Sequence, residues 1–69
     1  MLFTFDTTHH ALWAEEIARG LLLACEVVPA PPDSGAKCHL ALEVLPGDVA
    51  ATETALQQAG VPFEIYGAP

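Results

Sequence analysis

Cysteine and histidine are the side chains here whose chemistry lies closest to neutral pH, and the chain places them in separate stretches. His9 and His10 follow Thr7 and Thr8 near the start, while Lys37, Cys38 and His39 end a long proline-rich segment. Cys25 stands between Ala24 and Glu26. A thiolate is a nucleophile and a soft ligand, so Cys38 with these neighbours is the candidate for thiol chemistry. A zinc site built from His9 or His10 with Cys38 and His39 lacks the close C-x₂₋₄-C or H-x₃₋₅-H pairs of structural zinc. Strand alternation would also send Cys38 and His39 to opposite faces. No metal and no other cofactor is expected. The chain contains no G-x-x-x-x-G-K-[ST] loop, no G-x-G-x-x-G turn and no nucleophile elbow.

Each candidate also has a packing explanation. Free cysteine is among the most buried residue types, which suits Cys25. For Cys38, packing and chemistry weigh equally on the residues alone. His9 falls on the polar side of a helix pattern, where a histidine is most simply solvated. His10 falls on the apolar side, where it is most simply packed and hydrogen-bonded. Glu26, Glu43 and Glu64 read as the solvated face of a sheet.

The elements that would position these residues follow from periodicity. Leu2-Phe3-Thr4-Phe5 alternates as a strand, and Asp6-Thr7-Thr8 supplies helix-capping side chains. A helix is expected from His9 to about Leu22, with His10, Ala11, Ala14, Ile17, Ala18 and Leu21 sharing one face. His9, Leu12, Glu16 and Arg19 share the other. Cys25 to Pro29 reads as a second strand and Cys38 to Leu45 as a third. Pro46-Gly47-Asp48 caps a second helix from Val49 to Ala59, and Gly60 ends it. Pro62 to Tyr66 reads as a fourth strand, with Gly67-Ala68-Pro69 as a tail.

This βαββαβ order predicts one α+β domain over residues 1–69, a ferredoxin-like sandwich. The expected sheet is antiparallel in order 4-1-3-2, with both helices on one face. Phe3, Phe5, Cys25, Val27, Leu40, Leu42, Val44, Phe63 and Ile65 then face the helices. Thr4, Glu26, Val28, Ala41, Glu43, Glu64 and Tyr66 face outward. The end of the first strand, the start of the first helix and the 29–38 loop share one rim. Thr7, Thr8, His9, His10, Lys37, Cys38 and His39 gather there, with the Cys38 sulfur near the first helical turn. The positive end of that helix favours an anion such as a thiolate. Cys25 should lie at the other rim, about 13 Å away at the usual strand rise, too far for a disulfide.

Composition narrows the partners. Nine acids against two basic residues leave a net charge of −7. Nucleic acid and anionic membrane surfaces both demand cations and are disfavoured, whereas a basic protein partner is suited. No apolar run approaches the ~20 residues needed to span a bilayer, and no basic leader heads the chain. A cytoplasmic protein is expected. A 69-residue core is thin, so a homodimer contact through the second strand or the open sheet face is expected as well.

Several of these stretches occur together in a recognisable pattern. Phe5-Asp6-Thr7-Thr8-His9-His10-Ala11-Leu12, Ala14-Glu15, Val28-Pro29-Ala30-Pro31, and Cys38 ahead of Leu40-Ala41-Leu42 resemble the small bacterial family called putative Se/S carrier protein-like. The resemblance implies selenium or sulfur metabolism, with Cys38 as the carrier atom and a chalcogen donor or acceptor protein as partner. It implies a relay substrate more than a turnover enzyme. Two positions depart from the family pattern: Pro32 replaces a basic residue after V-P-x-P, and His39 replaces a glycine after the cysteine. Lys37 is the cation left nearby. The alternative function is a dimeric binding or regulatory module in which Cys38 only packs.

Overall fold

The computed structural model describes residues 1–67, so Ala68 and Pro69 of the expected tail lie outside the described residues. In chain order the elements are β1 (Leu2–Thr4), α1 (Thr8–Gly20), β2 (Cys25–Pro29) and a 3-10 turn over Pro32–Ser34. Then come β3 (Leu40–Val44), a second 3-10 turn over Pro46–Asp48, α2 (Val49–Ala59) and β4 (Glu64–Tyr66). The strands form one antiparallel sheet of order β2-β3-β1-β4; counted from the other edge it runs β4-β1-β3-β2.

The register converts alternation into a core. Ile65 pairs with Phe3, Phe3 with Leu42 and Leu42 with Val27, so one apolar row crosses all the strands. Phe3 and Leu42 are fully buried, each worth roughly 1.5–3 kcal/mol over exposure. Against this row α1 sets Ala11, Ala14 and Ala18, whose small side chains let the helix axis come close to the sheet. Leu56 of α2 completes the cluster with Val61. Phe63 packs its ring 5.2 Å from that of Phe3 in a tilted pair.

Several expected boundaries move. Helix α1 begins at Thr8, one residue early, because the Thr7 side chain accepts from the His10 amide at 3.1 Å and caps it. Strand β3 begins at Leu40 rather than Cys38, since the Cys38 amide donates to the Phe5 carbonyl and leaves the β2 ladder. Strand β4 starts at Glu64, not Pro62, and β1 ends at Thr4. Asp48 precedes α2 without a side-chain capping bond. Instead Thr52, buried in the first turn, donates to the Asp48 carbonyl at 2.8 Å. Leu21, expected in the core, is exposed because the helix has already ended. Thr4 and Ala41, expected on an open face, are both buried.

The two helices end in the same way on different residues. In α1 the Leu22 amide donates to the Arg19 carbonyl at 2.9 Å and Leu23 to Ala18 at 3.1 Å. In α2 Gly60 donates to Gln57 and Val61 to Leu56. Both are two-bond closures that need a left-handed residue. Gly60 takes φ 81° without penalty, whereas Leu22 takes φ 59° with a side chain. Gly20, two residues earlier, does not supply that conformation. Leu22 is 93% exposed and loses nothing by truncation. Leu22→Gly is therefore expected to stabilise the domain by about 1 kcal/mol, read as a higher denaturant midpoint at unchanged slope.

Candidate functional site

The rim where β1 ends and α1 begins is held by one backbone bond, from the Cys38 amide to the Phe5 carbonyl at 3.2 Å. That bond brings residue 38 beside the first turn of α1. The Cys38 Sγ atom lies 3.8 Å from Thr8 Oγ1, a hydrogen bond in which either atom can donate. The sulfur also accepts from the Leu40 amide at 3.3 Å, two residues ahead, as an aspartate oxygen does in an Asx turn. The Leu40 amide is thus one donor to this sulfur, and the Thr8 hydroxyl is placed to be a second when the sulfur carries no proton. Cys25 is half-buried at the opposite end of β2, paired with Val44, and both cysteines are free.

The other expected site residues are divided. Thr7 is spent on the helix cap. His10 is half-buried, and its Nδ1 is buried without a hydrogen-bond partner among the described residues. His9 turns away to stack 6.0 Å from Trp13 on the outer side of α1. His39 is exposed. Lys37 is exposed on the far side of the Cys38 backbone, in a cleft of about 380 Å³ that it lines with Thr4, Asp6, Pro62 and Glu64. So the rim gathers Thr8 on the Cys38 sulfur but does not converge His9, Lys37 or His39 upon it. No group of three or more His, Cys, Asp or Glu side chains assembles as a metal site among the described residues.

Packing and chemistry weigh equally for Cys38 on the residues alone; it is only 5% exposed and belongs to the core cluster with Phe5 and Ala11. Its parity with Leu40 and Leu42 points it under α1, where the helix covers it.

The sequence also failed to signal how the 30–38 loop is fastened. The Tyr66 hydroxyl donates to Asp33 Oδ1 at 2.8 Å. Tyr66 is on edge strand β4, whereas the loop leaves the opposite edge, β2. Tyr66 shares the face of Thr4 and Ala41, so the loop folds back across this face of the sheet. That path explains why the face is not open. Inside the loop Ser34 donates to Pro31, Ala36 to the Ser34 hydroxyl, and Ala30 to His39.

The model of one family matches residues 1–67, nearly the whole chain: that described as "Putative Se/S carrier protein-like". The chain belongs to that family. No curated protein and no solved structure matches it. Among the described residues no helix is long and apolar enough to cross a membrane.

The loop clasp is directly measurable because the chain has one tyrosine. The hydrogen bond to Asp33 raises the Tyr66 pKa above its ordinary 10.0, with burial and the Asp33 charge acting the same way. A group raised in the folded state stabilises it below the unfolded value, and that contribution is lost as pH rises through the folded value. An absorbance titration of tyrosinate should show a midpoint above 10.0 that falls back toward it in Asp33→Ala. Identical midpoints in the two proteins would mean that the clasp does not hold in solution.

Proposed function

We propose that this chain carries a sulfane sulfur or selenium atom on Cys38. The observation that carries the reading is the placement of the Cys38 sulfur at the first turn of α1, accepting from the Leu40 amide and within hydrogen-bond reach of the Thr8 hydroxyl. Membership in the family supports the same theme. The βαββαβ order with both helices packed into one core supports a ferredoxin-like frame for it.

Loading requires a thiolate and a donor persulfide. The Cys38 thiolate attacks the terminal sulfur of the donor, a new S–S bond forms on Cys38, and the donor's S–S bond breaks. The donor leaves as a thiolate, so the step is balanced without an outside oxidant. A nucleophile on an acceptor protein later attacks the same terminal atom and releases the Cys38 thiolate. Selenium follows the same exchange. Within this scheme Thr8 donates to the anionic sulfur, Thr7 fixes the helix end, and His10 offers a nearby imidazole. The roles of His9, Lys37 and His39 reduce to contact with the donor or acceptor. Access comes from lifting the 30–38 loop, which the Asp33–Tyr66 bond opposes.

The burial of Cys38 favours a second reading, a binding module paired through the edge of β2 in which this cysteine only fills the core. Intact-protein mass spectrometry after incubation with inorganic polysulfide separates the two. The carrier reading expects a gain of one sulfur atom in the parent and in Cys25→Ser, and none in Cys38→Ala. Thr8→Val should slow loading roughly fivefold, the effect of losing about 1 kcal/mol of hydrogen bonding to the anion. Tyr66→Phe should speed it. Equal mass gain in Cys38→Ala would end the carrier reading, and no gain in any of the proteins would favour the packing one.

A further inference from the structure

Helix α1 has a second face that the core does not use. His9, Leu12, Trp13 and Glu16 lie at i, i+3, i+4 and i+7, which is one strip about 10 Å long. They line a shallow groove on the outside of the helix. Leu12 is 49% and Trp13 is 37% exposed, although the opposite side of the same helix is buried alanine. The strip starts at the helical turn against which the Cys38 sulfur packs.

We propose that this strip docks a basic segment of the protein that exchanges chalcogen with Cys38. The proposal rests on the carrier reading for the partner's purpose, but the docking chemistry follows from the strip itself. A leucine and a tryptophan side by side, half-exposed, form the apolar centre expected of a contact anchor. The charge at its edge is Glu16, which is exposed. The neighbouring cation, Arg19, is already held by Glu15 at 2.9 Å, and Lys37 lies in the cleft beyond the Cys38 backbone. The strip therefore offers an apolar seat beside an uncompensated carboxylate. The occupant that matches is a segment with an apolar side chain for the Leu12–Trp13 seat and a lysine or arginine for Glu16. A second copy of this chain would bring another net charge of −7 against the strip. Anionic lipid is repelled on the same ground.

The chain has one tryptophan, and it is in the seat, so its emission reports occupancy directly. The probe is a synthetic amphipathic peptide of leucine and lysine, with a leucine–glutamate peptide of the same pattern for comparison. The lysine peptide should give a saturable blue shift of Trp13 emission and the glutamate peptide none. Glu16→Lys should weaken the lysine peptide about tenfold, since like charges are then opposed at the contact. Glu43→Lys changes the net charge identically, but at an exposed position on the side of the sheet away from the helices, and should weaken it less than about twofold. Equal weakening by the two substitutions would reduce the effect to diffuse charge and overturn the proposal. A blue shift that grows with protein concentration alone would overturn it in favour of self-association. Cys38→Ala should bind the peptide like the parent, so failure of sulfur loading and failure of docking are read separately.

Discussion

The bond from the Cys38 amide to the Phe5 carbonyl joins two stretches of chain some thirty residues apart, and the rim is built around it. It pulls residue 38 out of the β2–β3 ladder and lays it along the end of β1. From there the side chain has one direction to go, under the first turn of α1, because residue parity sends it to the helix side of the sheet. The Thr8 contact, the sulfur-accepting turn to Leu40 and the burial of the thiol all follow from that placement. The Thr7 cap matters for the same reason, since it fixes where α1 starts relative to the sulfur.

Packing and the proposed exchange make demands on Cys38 that pull against each other. In a domain of this size every buried apolar group counts, and the Cys38 side chain closes the core at its upper end beside Phe5 and Ala11. Thiol exchange, by contrast, needs the sulfur in contact with a partner. The 30–38 loop is where the two demands meet. Its fastenings are few: the Phe5 bond, the short bond from Ala30 to His39 and the Tyr66 clasp. In the proposed exchange the loop has to release the Phe5 bond and the clasp, at about 1 kcal/mol each, together with the burial of Cys38. Prolines 31 and 32 restrict the backbone freedom of the loop.

The surface is organised as sharply as the core. Acids dominate, and of the two basic residues Arg19 is paired with Glu15 while Lys37 lines the cleft. Apolar side chains remain exposed in two places, along the outer strip of α1 and around Leu21, Leu22 and Leu45 at the opposite rim. The strip shares a helical turn with the site, whereas the leucines lie at the Cys25 end. On the proposed reading, a partner docked on the strip is linked to the sulfur through one helix.

Much of this was written locally in the residues. Period-2 alternation named Phe3, Val27, Leu42 and Ile65 as one apolar layer, and the 3.6-residue repeat picked Ala11, Ala14 and Ala18 as the side of α1 that meets it. The bounds of β2 and α2, the Thr7–Thr8 capping region and the stop at Gly60 were legible for the same reason: each depends on neighbours within one turn or one strand. The nearness of Cys38 to Thr8 could also be read, since element order alone brings those ends together. What the sequence did not carry was the path of the 30–38 loop. Asp33 meets Tyr66 across 33 residues, and nothing in either neighbourhood marks that pairing. The burial of Thr4 and Ala41 was hidden with it, because parity states which face a side chain takes and not what comes to lie over that face. The left-handed Leu22 escaped notice too: α1 ends at Gly20, but the residue that takes the positive φ lies two positions further on and carries a side chain. Alternation is a property of the chain's own geometry; cover is decided only when distant segments compete for the same surface.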